Sequence, residues 1–300
     1  MSDAPDGHDH ARPRYLTAKR SVDERARDRR VLSRLVETLP DRPRVGEAGC
    51  GTGLSVPTLH DWGIRPGTYH GADTDPRIVA FARWLVPRVL RRRELDVTAT
   101  PTGCRVGRSS ETDLAVAFDA DDALTALPSA APDEGFDLVL AQSFLDLVPV
   151  EPALEAFGRA VGGDGLVYAP LTFDGETIFL PEHPADERVS EAFHAAIDAT
   201  PGRDSRAGRH LLDRLRERGA RVEAVAASDW IVGPSPGGEY PADERYFLAC
   251  ILEFVADALG GVEGSEEWLA TRRRQLHAGE LTYVAHGYDL LWRPAEVTDR

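Results

Sequence analysis

The chain has 300 residues, 42 % hydrophobic and 28 % charged, enough to bury a sizeable core; collagen-like, coiled-coil and wholly disordered readings are excluded. Fifty acidic residues against 35 basic ones give a formal charge of −15, the opposite of a nucleic-acid binder's basic footprint. No run of about 18 apolar residues offers a membrane span, and three scattered cysteines (Cys50, Cys104, Cys250) make neither a disulfide framework nor a zinc site.

Residues 1–13 are polar and aperiodic and read as a disordered tail without a signal peptide's apolar core, so a reduced, cytoplasmic setting is expected. Lys19 is the only lysine and asparagine is absent, which fits a GC-rich genome; the acidity also fits a salt-adapted cytoplasm. The domain proper is expected over 14–291. Val31, Leu32, Leu35, Val36 and Leu39 recur at helical spacing and predict a helix over 22–39, capped by Ser21 with Glu24 completing the box. Strands are expected at 44–48, 68–72, 114–118, 136–141 and 166–171. Helices are expected at 53–62, 76–90 and 152–161, and the polar stretch 91–113 reads as irregular. This alternation argues for a doubly wound α/β sheet. Beyond it come a helix at 206–218, a strand at 222–226, helices at 246–259 and 266–277, and a last strand at 281–291. The two helices, within 233–278 and between the last two strands, look like a lid over the sheet's carboxyl edge.

The sharpest motif is EAGCGTG, Glu47 to Gly53, at a strand-to-helix junction. Its glycines allow a sharp turn and close approach of backbone to a ligand. The spacing is G-x-G-x-G, not the dinucleotide G-x-G-x-x-G, and no Lys-Ser/Thr follows as in a P-loop. A carboxylate at Glu47 repels a pyrophosphate and attracts an ammonium or sulfonium, by about 4 kcal/mol at 4 Å before desolvation. Asp73 ends the second strand about 20 residues on, where an acid can accept both hydroxyls of a ribose, while Asp75 suits the cap of the helix at Pro76. Asp121, Asp122 and Ala123 follow the third strand of the parallel series and offer either an adenine contact or a solvated turn.

With EAGCGTG, GADTDPRIVAFAR, DADDAL and FDLVLAQSFLDLV in this order, the chain resembles the class I S-adenosylmethionine-dependent methyltransferases of small-molecule type. The resemblance runs from about Arg14 to Leu171 and more weakly to the end. It implies a Rossmann-like seven-stranded sheet with an antiparallel last strand, and S-adenosyl-L-methionine as cofactor. It also implies cofactor contacts from Glu47, Gly49, Gly51, Gly53, Asp73, Thr74, Asp121, Asp122, Ala123 and Gln142. The segment RYLTAKRSVDERA looks like the N-terminal cover that some such enzymes fold over the cofactor.

The acceptor is less legible. Ala141-Gln142-Ser143-Phe144 lacks the Asn/Asp-Pro-Pro-Tyr/Phe that amino-group enzymes of the family carry, which counts against that class; the expected reaction is methyl transfer to a small molecule at oxygen. Candidate catalytic residues are Asp146, placed to face an acceptor or to sit at a helix start; His183, in a rigid Pro-Glu-His-Pro loop; and His286, in the last strand beside Gly287. Asp174 and Glu176 could grip a polar acceptor, and Trp230, Tyr240, Arg245 and Tyr246 belong to the lid. The alternatives are an RNA methyltransferase, suggested by the arginines between Arg12 and Arg30, and a non-catalytic adenosylmethionine-binding protein. A homodimer through 246–259 is a further reading, and neither a membrane nor a metal is expected.

Overall fold

The computed structural model describes residues 12–107 and 113–295. Three short helices open the fold, α1 (Pro13–Ala18), α2 (Arg20–Ala26) and α3 (Arg29–Thr38), and the last two replace the single helix expected over 22–39. The break falls at Arg27 and Asp28, both extended. Asp28, rather than Ser21, is the cap, accepting from the N–H groups of Arg30 and Val31 at 2.9 and 3.0 Å. Ser21 donates instead to Glu244 at 2.7 Å. Of the tail expected over 1–13, residues 1–11 lie outside the described residues, while Pro13 opens α1, where its missing N–H costs nothing.

The alternation then runs β1 (Arg44–Ala48), α4 (Ser55–Asp61), β2 (Thr68–Asp73), α5 (Pro76–Arg92), β3 (Val97–Thr100), β4 (Gly103–Val106), β5 (Leu114–Ala120), α6 (Ala123–Ala130), β6 (Phe136–Leu140), α7 (Val150–Ala160) and β7 (Val161–Leu180). The last part holds α8 (Asp186–Asp198), α9 (Ala207–Glu217), β8 (Arg221–Ala227), β9 (Trp230–Val232), α10 (Glu244–Ala258), α11 (Ser265–Ala278) and β10 (Thr282–Arg293). The strands form one ten-stranded sheet in the order β3-β4-β5-β2-β1-β6-β7-β10-β8, with β9 beside β10. From β5 to β7 the pairings are parallel, and β10 runs antiparallel to both β7 and β8.

The sheet therefore has ten strands, not the expected seven. Two of the additions, β3 and β4, form a hairpin within the stretch read as irregular. As the edge strand, β3 exposes its middle residues and so lacks an apolar signature. The third, β9, has only three residues. β7 runs well beyond the expected 166–171, and α8 fills a region read as loop. The last strand reaches Arg293, two residues past the expected domain end.

Side-chain alternation sends Leu138 and Leu140 to one face of the sheet and Val139 to the other. The first face packs on α3 and α5 through Val31, Leu35, Val79 and Val86. The second packs on α6, α7 and α9 through Leu127, Phe157 and Leu211. A third cluster joins α1, α2, α8, α10 and α11 to the far ends of β7, β9 and β10. There the ring of Tyr15 stacks on Phe247 (5.7 Å between centroids) and meets Phe254 edge-on at 5.2 Å. Each buried ring of this kind contributes about 1.5–3 kcal/mol. The fully buried Glu244 adds a polar tie between α10 and α2, paired with Arg25 at 2.5 and 2.8 Å. Together these contacts hold the N-terminal helices and α10 against each other. Among the described residues no helix is long and apolar enough to cross a membrane.

Candidate active site

The glycine loop lies where β1 leaves the sheet. Gly49, Gly51 and Gly53 have φ of +65°, +50° and +70°, a region other residues reach only with strain. Their environments differ. A Cβ on Gly53 would lie 2.7 Å from Phe118 and 2.8 Å from Val86, so this glycine lets the loop pack on the sheet. A Cβ on Gly51 would meet only Leu16, at 3.3 Å, and would otherwise project into open space. The loop is fastened by Asp73 at the end of β2: the Gly51 N–H donates to Asp73 Oδ2 and the Asp75 N–H to Oδ1, both at 3.0 Å.

Glu47 is only 2 % exposed. Ser55 Oγ donates to its Oε1 at 2.6 Å, and the Tyr69 hydroxyl donates to Oε2. Burial raises its pKa to about 7, outweighing the Ser55 and Tyr69 bonds and the charge of Arg27. Glu47 is thus a carboxyl poised between its two charge states, not a freely solvated anion. On the far side of β2, Asp122 caps α6 by accepting from the Leu124 N–H at 3.0 Å.

Glu47, Gly49, Gly51, Asp73, Thr74, Asp122, Ala123 and Gln142 line one cavity of about 480 Å3. Two of the expected cofactor residues stand outside its lining. Gly53 is packed as above, and Asp121 is exposed, its Oδ1 accepting from the Asp122 N–H. Gln142 lines the cavity with its amide engaged at both ends: Nε2 donates to Asp23 Oδ2 at 2.9 Å and Oε1 accepts from Arg27 at 2.5 Å. It clasps α2 to the end of β6.

The sheet order puts β1, β2 and β5 at one side of this cavity and β6 and β7 at the other. The second side is walled by Phe173, Phe193, Ile197, Ile251, Phe254 and Tyr283. Ser143 and Leu171, where β6 and β7 reach it, have φ of +47° and +60°. Such conformations cost about 1–3 kcal/mol each and gather at functional sites. Asp146 lines this side; its Oδ1 is buried without a hydrogen-bond partner, and burial raises its pKa against the opposing charges of Lys19 and Arg203. Lys19 Nζ donates to Ser143 Oγ at 2.9 Å and pairs with Asp23 at 3.6 Å.

The other expected catalytic residues are placed differently. His183 is not in the cavity lining; its backbone N–H donates to Asp186 Oδ2 and its Nδ1 accepts from the Ala185 N–H, so the residue shapes the start of α8. His286 borders the cavity at an irregularity in the β10 register, with its Nδ1 2.7 Å from Asp229 Oδ1. Asp174 is fully buried and bound to the backbone and side chain of Arg209, and Glu176 is exposed; neither lines the cavity. Of the four lid residues only Trp230 does, while Tyr240 donates to the Leu281 carbonyl and Arg245 to that of His277. The sequence reading missed Lys19, Asp23, Arg27, Arg203 and the apolar wall. Lys19 carried a usable signal, being the only lysine of the chain.

No family model and no curated protein matches the chain. Among solved structures it is similar to a geranyl diphosphate methyltransferase in complex with SAM, at 11 % identity and a TM-score of 0.48, over 98 % of this chain and 93 % of that one. It is also similar to a putative methyltransferase from Bacillus halodurans, at 13 % and 0.49, over 88 % and 99 %. A third is a SAM-dependent methyltransferase from Geobacter sulfurreducens in complex with S-adenosyl-L-homocysteine, at 15 % and 0.45, over 95 % and 99 %. Likeness at this level leaves the assignment of an activity to the chain's own residues.

Proposed function

We propose that this chain is an S-adenosylmethionine-dependent methyltransferase acting at an oxygen of a small molecule. One observation carries the reading: a single cavity joins the glycine loop, Glu47, Asp73 and Asp122 on one side to an apolar wall and Asp146, whose Oδ1 is buried without a hydrogen-bond partner, on the other. A volume of about 480 Å3 lies within the ordinary range for small-ligand sites.

The residues fit the cofactor. Gly51 leaves a cradle where a side chain would otherwise intrude, while Gly49 makes room for the Phe144 ring. Asp73 uses one lone-pair site of each oxygen on a backbone N–H and keeps capacity for a ribose diol. Asp122 and the Ala123 backbone border the same side and suit an adenine amino group and ring nitrogen. Glu47 favours a cationic ligand, whose charge would draw its pKa back toward the ordinary range.

When bound, adenosylmethionine supplies an electrophilic methyl on sulfur, and the C–S electron pair stays on sulfur as the acceptor's O–C bond forms. The chain's own contribution is placement and proton handling. The apolar wall excludes water from the acceptor. Asp146, with a free buried oxygen, accepts the hydroxyl proton. Lys19 holds Ser143 at the cavity edge, and the Gln142 clasp keeps α2 over the site.

Two observations favour a small acceptor over RNA. Four of the N-terminal arginines that suggested RNA are engaged within the chain: Arg12 with Glu253, Arg14 with Asp243, Arg25 with Glu244 and Arg27 with Gln142. The acceptor side is also apolar and lies between helices. We read α10 and the N-terminal helices as the cover of the site, with the apolar side of α10 buried within the chain. Three buried free thiols, Cys50, Cys104 and Cys250, suit a reducing, cytoplasmic setting. The test is methyl transfer from labelled adenosylmethionine to a panel of hydroxylated small molecules. O-methyl products would support the reading. Transfer only to RNA would replace it, and binding without any turnover would favour the non-catalytic alternative.

A further inference from the structure

In an acidic chain most cations find a carboxylate. Among the charged residues lining the cavity, Arg20 pairs with Asp61, Lys19 with Asp23, and Arg27 bonds Gln142. Arg203 differs: it lines the cavity half-buried, and its guanidinium has no hydrogen-bond or ion-pair partner among the described residues. The loop that carries it is held firmly. The Arg203 N–H donates to the Thr200 carbonyl, the Asp204 N–H to the Asp146 carbonyl, and the Ser205 N–H to Asp198. Gly202 beside it packs on Pro149; a Cβ there would lie 2.9 Å from the proline ring. The backbone that carries Arg203 is therefore fixed beside Asp146, which feels the guanidinium's charge.

Arg203 and Asp146 make opposite demands at one end of the cavity. The guanidinium lacks an acceptor, and Asp146 Oδ1 lacks a donor. The same cavity is walled by Phe173, Phe193 and Ile197 and by Phe254 of α10, which offer no polar side chain to a ligand. A molecule that satisfies all three features has an apolar body, an anionic group that matches a planar guanidinium, and a hydroxyl. We infer that the methyl acceptor is a largely apolar hydroxy acid whose carboxylate is received by Arg203 while its hydroxyl faces Asp146. This rests on the methyl-transfer reading above and adds the acceptor class to it. Arg203 then acts as the specificity-determining residue, since losing the carboxylate leaves a desolvated cation unpaired.

The test uses the full-length protein saturated with adenosylhomocysteine, whose own binding to the wild type is measured first. The probes are 4-hydroxyphenylacetate, 3-(4-hydroxyphenyl)propanoate and 6-hydroxy-2-naphthoate, each beside its primary amide, titrated by calorimetry at pH 8. We expect at least one acid to bind tenfold or more tightly than its amide. Arg203→Leu should bring that acid down to its amide's level, and Arg203→Lys should restore part of the difference, with thermal unfolding confirming that both variants fold. Equal binding of acids and amides, no binding of any acid, or an acid preference that survives Arg203→Leu would overturn the inference while leaving the methyl-transfer reading in place. Failure of adenosylhomocysteine to bind the wild type would overturn both.

Discussion

Replacing Glu47 by Gln should separate the cost of this carboxyl in the free protein from its use in ligand binding. The side chain is buried and its pKa is raised from 4.5 to about 7. A group with a raised folded-state pKa contributes stability that is full below its unfolded pKa and is lost as pH rises through the folded one. For Glu47 that window runs from about pH 4.5 to pH 7 or slightly above. A displacement of about 2.5 units corresponds to about 3 kcal/mol. Glutamine keeps the shape and cannot ionise. The stability difference between Glu47→Gln and wild type should therefore move in the variant's favour by about 3 kcal/mol between pH 4.5 and pH 8. In a chain of this size that is roughly 6 °C in Tm. Denaturant or thermal unfolding of ligand-free protein across this range is the assay, and subtracting the variant removes every other titrating group. Parallel stability curves would refute the reasoning, since they would mean that Glu47 is not held in a charge-averse site. In the same variant the affinity for adenosylmethionine should fall sharply. In the wild type it should weaken about tenfold from pH 8 to pH 6 as Glu47 takes up its proton.

The two ends of the glycine loop should respond differently: Gly53→Ala costs about 2 kcal/mol or more of stability through its positive φ and its clash with Phe118, seen by denaturant unfolding. Gly51→Val adds backbone strain and a tight contact with Leu16 but chiefly abolishes cofactor affinity, seen by calorimetry. Asp146→Asn should lower kcat by about 10²–10⁴ with cofactor affinity kept, measured with any acceptor that turns over. Arg25→Met should leave the fully buried Glu244 with Ser21 as its remaining side-chain donor and cost about 2–4 kcal/mol in chemical denaturation.

The parts of this protein that were legible in the sequence are those fixed by local rules. Glycines at positive φ after a buried strand and an acid at the end of the next strand follow from turn and close-approach chemistry, whereas α6 and its cap Asp122 were not read. The parallel sheet could be read because strands alternate with helices and a central strand carries a mostly apolar run, as in Phe136–Leu140. The acceptor side could not. Phe173, Phe193 and Phe254 come from β7, α8 and α10 and share no spacing; the fold alone brings them together. His183 and His286 attracted notice as titratable residues in suggestive loops and strands, but the start of α8 and the bond to Asp229 decide where they point. Ser21 looked like a cap because the helical period seemed unbroken. The extended backbone at Arg27 and Asp28, fixed partly by the bond from the Asp28 N–H to Asp289, is a tertiary effect. Lys19 was hidden among arginines, although its uniqueness set it apart.

Whether the glycine loop, Glu47 and Asp73 hold a sulfonium cofactor is decided by calorimetric titration at pH 8. The ligands are adenosylmethionine and adenosylhomocysteine, with NAD as the control. The account predicts saturable one-to-one binding of the first two, none of NAD, and loss of the signal in Gly51→Val. Saturable binding of NAD, or no binding of either adenosyl ligand to folded protein, would contradict it.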